Sequence, residues 1–234
     1  MRNWPRAVLF DFDGVIVNSE PLHFRSFQEV LKGEHIELTE DEYYRELIGF
    51  DDKNAIRHVF AKHERPLVPG TILRIMTKKT EGMMDLVRRD PPHALPGVEE
   101  FVRGLWRNYP LAVCSGAVRE EIEAMLEGVS LRDCFGTIVA AEDVTKGKPD
   151  PEGYLLTARL VSERMKLKEA LKPGDCLIVE DAPAVIRSVK AEGFPTLAVA
   201  TSYAPSRLGD ADWICESLRP EEVKRKIPEL KLGV

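Results

Sequence analysis

The chain has 234 residues, of which 44% are hydrophobic and 31% charged, a composition that suits one large globular domain or a core with a smaller second unit. The formal net charge of −6 lacks the basic excess that nucleic-acid binding needs, and no apolar run approaches the roughly 18 residues of a membrane span. We therefore expect neither nucleic acid nor a membrane as a partner. Four scattered cysteines without a CxxC motif indicate buried thiols in a reducing cytoplasm. We expect a monomer or a homodimer.

Short apolar runs typical of β-strands alternate with helical patterns along the chain. The predicted strands are 7–10, 111–114, 137–140, 176–179, 196–200 and 213–215, and the helices between them include 118–126, 151–165 (with Asp150 as N-cap) and 183–192. This alternation predicts a doubly wound, Rossmann-like α/β core, in which helices cover both faces of a parallel sheet.

Between residue 19 and about residue 92 only helical patterns occur. Ser19 is the predicted N-cap of the first helix, and a Thr39/Glu42 capping box begins the second, which is expected to stop at Gly49. Two further helical patterns follow. The sequence therefore predicts an α/β core at 1–17 and 93–234 and an inserted all-helical cap domain at 18–92, above the carboxyl end of the first strand.

Two aspartates one residue apart end the first strand. Asp11 and Asp13 would face the same side of an extended chain, because residues i and i+2 share a face. At about 4 Å and an effective dielectric constant near 20, two such carboxylates repel by about 4 kcal/mol. A cation, a shared proton or a chemical role is needed to offset this repulsion.

Polar residues also follow three later strands: Ser115 and Gly116 after the second, Lys148 after the third, and Glu180 with Asp181 after the fourth. Four carboxylates beside one lysine form an oxygen-rich, negative pocket that suits Mg²⁺ better than zinc or copper. A hydroxyl, a lysine and the N–H groups of a helix N-terminus suit a phosphate group. The pattern predicts phosphoryl transfer.

The motifs "DFDGVIVNS", "CSGA", "KGKPDP" and "VEDAPA" occur in this order, with a helical insert after the first. With them the chain resembles the haloacid dehalogenase-like hydrolase superfamily over nearly its whole length, and in particular the branch of phosphoglycolate-type phosphatases and β-phosphoglucomutase.

The resemblance implies a role for each motif residue. Asp11 would be the nucleophile, Asp13 the general acid and base, and Ser115, Gly116 and Lys148 the residues that hold the phosphoryl group. Mg²⁺ would be bound by Asp11, by Asp13 through its backbone carbonyl, and by Asp181. Whether Glu180 binds the metal directly or only supports Asp181 stays open. The aspartate at the second position implies hydrolysis of a phosphoester.

Some positions depart from the motifs of the family that the chain resembles. The family's usual motif "EDSxxG" is "EDAPAV" in this chain, with Ala182 in place of serine. His23 falls where β-phosphoglucomutase has a histidine, whereas Asp52, next to Lys53, aligns with its phosphate-binding arginine. The candidate substrate contacts are His23, Lys53 and Arg119. We expect Lys79, on the last helix of the insert, to be solvated.

The favoured function is a Mg²⁺-dependent phosphatase that acts on a small phosphorylated metabolite through an aspartyl-phosphate. The main alternative is a sugar-phosphate isomerase similar to β-phosphoglucomutase. A receiver-like phospho-signalling module also combines aspartates, Mg²⁺, a hydroxyl and a lysine, but receivers are about half as long and carry the reactive aspartate on a middle strand. Cys114, beside Ser115, is expected to face the core, which argues against a thiol nucleophile.

Overall fold

The computed structural model describes residues 4–47, 50 and 52–233. The chain divides into two compact units: Met1–Asn18 with Pro92–Val234, called the core unit below, and Ser19–Pro91, called the helical unit. Among the described residues, no helix has the length and apolar character needed to cross a membrane.

A six-stranded parallel sheet forms the centre of the core unit. Its strands are β1 (Ala7–Phe10), β2 (Leu111–Cys114), β3 (Phe135–Val139), β4 (Cys176–Glu180), β5 (Thr196–Val199) and β6 (Trp213–Cys215), and their spatial order is β3-β2-β1-β4-β5-β6. Every residue of β1, β2, β4 and β5 is buried, as expected for strands covered on both faces. The predicted doubly wound α/β core is confirmed.

The core unit also contains the helices α5 (Val98–Trp106), α6 (Arg119–Gly128), α7 (Glu152–Arg164) and α8 (Pro183–Ala191), which lie between strands in the chain, and α9 (Pro220–Lys226), which follows β6. On one face of the sheet, Leu9 and Cys114 pack with Tyr154 of α7. On the other, the Phe10 ring lies 6.1 Å from Phe101 of α5. Cys114 faces the core as predicted, and all four cysteines are buried free thiols.

The helical unit contains α1 (Glu20–Lys32), α2 (Glu40–Glu42), a π-helical turn (Tyr43–Leu47), α3 (Asp52–Lys62) and α4 (Thr71–Arg89). It has its own apolar core, to which Phe27, Leu31, Ile56 and Ile75 belong. The three longer helices, α1, α3 and α4, bury their apolar faces against one another. The predicted helix stop at Gly49 lies outside the described residues.

Two predicted helix caps differ from the structure. Ser19 precedes α1 but has helical dihedral angles and makes no capping hydrogen bond, because a cap hydroxyl reaches the first turn from extended backbone. The Thr39 hydroxyl accepts a hydrogen bond from the Glu42 N–H at 3.2 Å, as a capping box requires. The Glu42 carboxylate pairs instead with Lys62 at 3.0 Å, so only half of the capping box is formed.

The segments that lead into and out of the helical unit pair with each other inside the core unit. Val17 forms an antiparallel bridge with Ala94, and the Leu95 N–H donates to the Ile16 carbonyl at 2.9 Å. The insertion therefore begins and ends at neighbouring points of the core unit.

Candidate active site

The loop after β1 is tightly folded around a glycine. The Asp11 N–H donates to the Val179 carbonyl at 2.9 Å, which holds the start of the loop against β4. Gly14 has φ +76°, and its N–H donates to the Val17 carbonyl at 2.8 Å. A Cβ atom at Gly14 would lie 2.1 Å from Asp181 Oδ2, so both the backbone conformation and the close approach require glycine. Asp13, between Asp11 and Gly14, is partly exposed.

Lys148 joins two of the predicted carboxylates. Its Nζ atom lies 2.6 Å from Asp11 Oδ1 and 2.8 Å from Glu180 Oε1. The Tyr154 hydroxyl oxygen is 3.2 Å from the same nitrogen, which also lies 4.8 Å from the centre of the Tyr154 ring. Although burial lowers the pKa of Lys148, the charges of Asp11 and Glu180 raise it above its ordinary value. The lysine therefore stays charged in a partly buried position. Lys146, the other lysine of this motif, is exposed.

The Glu180 carboxylate is completely buried and has donors on both oxygens. Oε1 accepts from Lys148 and, at 3.3 Å, from the Tyr154 hydroxyl. Oε2 accepts from the N–H groups of Asp181 and Ala182, each at 2.8 Å. Four donors satisfy the oxygens of this side chain. Between the two roles left open by the sequence, this geometry favours support of Lys148 and of the Asp181 backbone over direct metal binding.

Three buried carboxylates lie together at the ends of β1 and β4. Each of Asp11, Glu180 and Asp181 offers an oxygen within 4.8 Å of the others. Burial, followed by the charge of Glu180, raises the pKa of Asp11 well above its ordinary value and that of Asp181 to about 7. The single positive charge of Lys148 does not neutralise the negative charges of three ionised carboxylates. Asp11 and Asp181 therefore offer oxygens that fit a hard divalent cation such as Mg²⁺, which prefers carboxylate and carbonyl oxygens.

Ser115 and Gly116 follow β2, which is the neighbour of β1 on the side opposite β4. The Ser115 N–H donates to the Val139 carbonyl at 2.9 Å, and its hydroxyl oxygen accepts from the Ala117 N–H at 3.1 Å. A hydroxyl that accepts in this way retains a hydrogen to donate. No atom would lie within 4 Å of a Cβ at Gly116, so the backbone here borders open space.

The candidate substrate residues occupy different parts of the chain. Arg119, at the start of α6, donates to the Ile138 carbonyl at 3.1 Å and pairs with Asp143, which directs its guanidinium toward the loop after β3. His23 and Lys53 belong to the helical unit, where Lys53 is exposed on α3. A substrate contact by any of the three stays a prediction.

The expectation that Lys79 is solvated is wrong. Its side chain is 1% exposed, and Nζ lies 2.8 Å from His23 Nδ1 and 2.9 Å from an Asp52 oxygen. The reason is its position on α4, four residues from Ile75 and from Met83, which are both buried. The helical periodicity therefore places Lys79 on the apolar face, and this signal was available in the sequence.

The sequence interpretation also missed three hydroxyl side chains. Tyr154 contacts Lys148 and Glu180, as described above. After β5, the Thr201 hydroxyl donates to the Gly14 carbonyl, and the Ser202 hydroxyl donates to Asp181 Oδ2. The signal was again present, because Thr201 and Ser202 are polar residues that directly follow an apolar strand, as the predicted site residues do.

Comparisons with known proteins agree with this geometry. A family model described as haloacid dehalogenase-like hydrolase matches residues 8–199. Fructose-1-phosphate phosphatase YqaB of Escherichia coli (strain K12) is 30% identical over 194 residues, which cover 82% of this chain and 95% of that protein. β-Phosphoglucomutase of Bacillus subtilis (strain 168) is 26% identical over 208 residues, covering 87% and 86%.

The fold is also found among solved structures. A mutant CbbY from Rhodobacter sphaeroides, crystallised with xylulose-(1,5)bisphosphate, superposes with a TM-score of 0.79 at 23% identity over 97% of this chain and 99% of that one. β-Phosphoglucomutase from Clostridium difficile superposes with a TM-score of 0.77 at 19% identity, over 96% and 97%. From the family match and the strand-end carboxylates together, we conclude that the chain is an enzyme of the haloacid dehalogenase-like hydrolase family, in its phosphatase and β-phosphoglucomutase branch.

Proposed function

We propose that the enzyme is a Mg²⁺-dependent phosphatase that hydrolyses a small phosphorylated metabolite, of the sugar-phosphate class, through an aspartyl-phosphate on Asp11. The observation that carries this proposal is the Lys148 ammonium, 2.6 Å from Asp11 within a buried cluster of three carboxylates. The E. coli relative is named a fructose-1-phosphate phosphatase, which supports the substrate class.

Two steps follow from the assigned roles. In the first, an oxygen of Asp11 bonds to phosphorus while the ester bond breaks, and Asp13 donates a proton to the departing alcohol. In the second, Asp13 takes a proton from water, the water oxygen bonds to phosphorus, and the bond from phosphorus to Asp11 breaks. Ser115 and Lys148 donate hydrogen bonds to the phosphoryl oxygens in both steps.

A magnesium ion would be held by Asp11, the Asp13 carbonyl and Asp181. Its chemistry is to neutralise charge on the phosphoryl oxygens. We expect a chelator to abolish turnover and Mg²⁺ to restore it, whereas Ca²⁺ should bind and inhibit because its larger shell disturbs in-line geometry. The metal dependence of turnover is measured as phosphate release from enzyme treated with chelator, with Mg²⁺ or with Ca²⁺. Full activity after complete chelation would contradict the proposed metal dependence.

We propose that residues 18–92 act as a cap that selects the substrate, with His23 and Lys53 among its contacts. Phosphate release from a panel of sugar phosphates, phosphoglycolate, glycerol phosphates and nucleotides tests the substrate class. A preference for sugar phosphates that falls in a Lys53→Ala variant, with activity toward a small aryl phosphate retained, would support a contact from Lys53. Equal losses toward every substrate would count against it.

The second candidate function is a sugar-phosphate mutase, and the relative named β-phosphoglucomutase favours it. A mutase must also hold the distal phosphate of a bisphosphate, for which an arginine is best suited. In this chain Asp52 aligns with the phosphate-binding arginine of β-phosphoglucomutase. Asp52 pairs with Lys79 at 2.9 Å, so the charge of this lysine is already neutralised. We therefore rank hydrolysis first. The receiver-like alternative ranks last for two reasons. Asp11 and Asp13 follow the first strand of the chain, whereas receivers carry the reactive aspartate on a middle strand, and the chain matches a hydrolase family.

One reaction separates hydrolase from mutase. With β-glucose 1-phosphate, Mg²⁺ and a bisphosphate primer, we expect free phosphate to exceed glucose 6-phosphate. Both products are followed in the same sample. Mutase flux well above phosphate release would reverse the ranking, and alanine variants of Lys53, Lys79 and Arg119 would then show which cation holds the distal phosphate.

A further inference from the structure

Two hydroxyl residues after β5 reach the loops that carry the carboxylates. Strand β5 pairs with β4 through Glu180 and Ala198, so the chain leaving β5 runs beside Asp181. The Ser202 hydroxyl contacts Asp181 Oδ2, and the Thr201 hydroxyl contacts the Gly14 carbonyl. Carboxylate and carbonyl oxygens only accept hydrogen bonds, so both hydroxyls are donors.

These contacts converge on one small volume. A Cβ at Gly14 would lie 2.1 Å from Asp181 Oδ2 and 2.7 Å from Ser202 Oγ. The loop after β1, the Asp181 carboxylate and the loop after β5 are therefore packed directly against one another. A hydroxyl on one carboxylate oxygen restricts rotation about the bond between Cβ and Cγ, and so fixes where the other oxygen points.

We propose that Thr201 and Ser202 position the metal-binding groups of this site: Ser202 orients the Asp181 carboxylate, and Thr201 holds the Gly14 carbonyl, one residue after the backbone carbonyl of Asp13, the other expected ligand. The inference deepens the proposed function and rests on it. Ala182, the residue after Asp181, has no hydroxyl, and the contact from the β5 loop provides a donor from a different strand.

The effect should appear first in the affinity for the metal. Loss of a hydrogen-bond partner of a metal ligand lowers metal affinity by roughly 10–100-fold. Since Ser202 touches a ligand side chain and Thr201 only the neighbouring peptide, we expect Ser202→Ala to weaken Mg²⁺ binding about tenfold and Thr201→Val about threefold.

The experiment is calorimetric titration of the purified full chain with Mg²⁺ alone, without substrate. Ser202→Thr retains a hydroxyl and should bind Mg²⁺ within about twofold of the unmodified enzyme. Ser206→Ala, in the 3-10 turn Pro205–Arg207 of the same loop, is the matched control and should leave the affinity unchanged. At saturating Mg²⁺, Ser202→Ala should regain most of its kcat, with KM for substrate unaltered.

Asp181→Ala distinguishes failure of this inference from failure of the proposed function. If Asp181→Ala loses Mg²⁺ binding while Ser202→Ala binds as tightly as the unmodified enzyme, the positioning role of Ser202 is wrong and the metal site stands. If Asp181→Ala binds Mg²⁺ with unchanged affinity, the metal site itself is wrong. A tenfold loss in Ser202→Ala that Ser202→Thr also shows would overturn the role of the hydroxyl.

Discussion

The Tyr154 hydroxyl lies between Lys148 and Glu180, beside Asp11, the proposed nucleophile. It is completely buried, 3.2 Å from Lys148 Nζ and 3.3 Å from Glu180 Oε1. Burial and the charge of Glu180 raise the pKa of Tyr154 well above its ordinary value, so the hydroxyl stays protonated and donates to the carboxylate. Removal of the hydroxyl would leave the aromatic ring in place, but Lys148 and Glu180 would each lose a hydrogen-bond partner.

We therefore expect Tyr154→Phe to lower kcat about tenfold, since one hydrogen bond to a charged group contributes roughly 1.5 kcal/mol. Steady-state kinetics at saturating Mg²⁺ measures the effect. Tyr109→Phe is the control, because the Tyr109 hydroxyl accepts from the Lys231 N–H at 2.9 Å and lies before β2, at the opposite ends of the strands. Equal losses in both variants would argue that Tyr154 acts only through packing.

Asp11 gives the sharpest test of the mechanism. Asp11→Asn removes the proposed nucleophile, so turnover should fall by at least about 10³-fold. We expect the variant to retain the fold of the unmodified enzyme. Because the pKa of Asp11 is raised in the folded state, its contribution to the stability of the metal-free protein is lost as pH rises through that pKa, and the neutral amide does not titrate. In chelator near neutral pH, the variant should melt no lower than the unmodified enzyme. Near-normal turnover would exclude Asp11 as the nucleophile.

At the scale of elements, α1 and α4 share a buried polar contact. The Lys79 ammonium only donates, so His23 Nδ1 must accept its hydrogen bond at 2.8 Å, which requires a neutral imidazole. Burial, and then the charge of Lys79, lower the pKa of His23 well below its ordinary value of 6.5. A lowered histidine pKa gives stability that is present above the unfolded-state pKa and is lost as pH falls below it.

The thermal midpoint of the unmodified enzyme should therefore fall more steeply than that of His23→Gln between about pH 7.5 and about pH 5. Glutamine retains an acceptor for Lys79 but does not titrate. His58 and His63, which pair with Glu46 and Glu42, are present in both proteins and cancel in the comparison. Parallel pH profiles would show that His23 is not held neutral.

The strand pattern and the strand-end motifs were predictable because parallel strands bring their carboxyl ends to one edge of the sheet. The sequence predicted the order of elements, and the structure brings Asp11, Glu180, Asp181 and Lys148 together. Element ends were less predictable: β3 starts at Phe135 rather than 137, and α7 at Glu152, whose N–H donates to the Asp150 carboxylate at 3.0 Å.

The supporting contacts depend on three-dimensional reach. A hydroxyl after an apolar strand marks a residue near the site, but only the pairing of β4 with β5 shows that Ser202 meets Asp181 rather than solvent. Likewise, periodicity places Lys79 on a buried face, but its partners His23 and Asp52 come from two other helices. Such contacts between distant segments cannot be derived from local patterns.

At the scale of the whole molecule, the two units have separate apolar cores, and the carboxylate cluster belongs to the core unit. Mg²⁺ at about 100 times its dissociation constant should stabilise that unit by about 2.7 kcal/mol, or roughly 5–10 °C. Scanning calorimetry with and without Mg²⁺ measures the shift. Asp181→Ala should show little shift, and an equal shift in both proteins would indicate that Mg²⁺ binds elsewhere.

The pairing of Val17 with Ala94 has a consequence for how such enzymes diversify. Because the chain leaves and re-enters the core unit through adjacent, hydrogen-bonded segments, the inserted segment can differ in length without moving the two points that it joins. The closure entropy of the inserted segment grows only slowly with its length. With the proposed role of residues 18–92 in substrate selection, that selection can change by exchange of one contiguous stretch of gene between relatives, while the two flanking stretches keep the strand-end carboxylates.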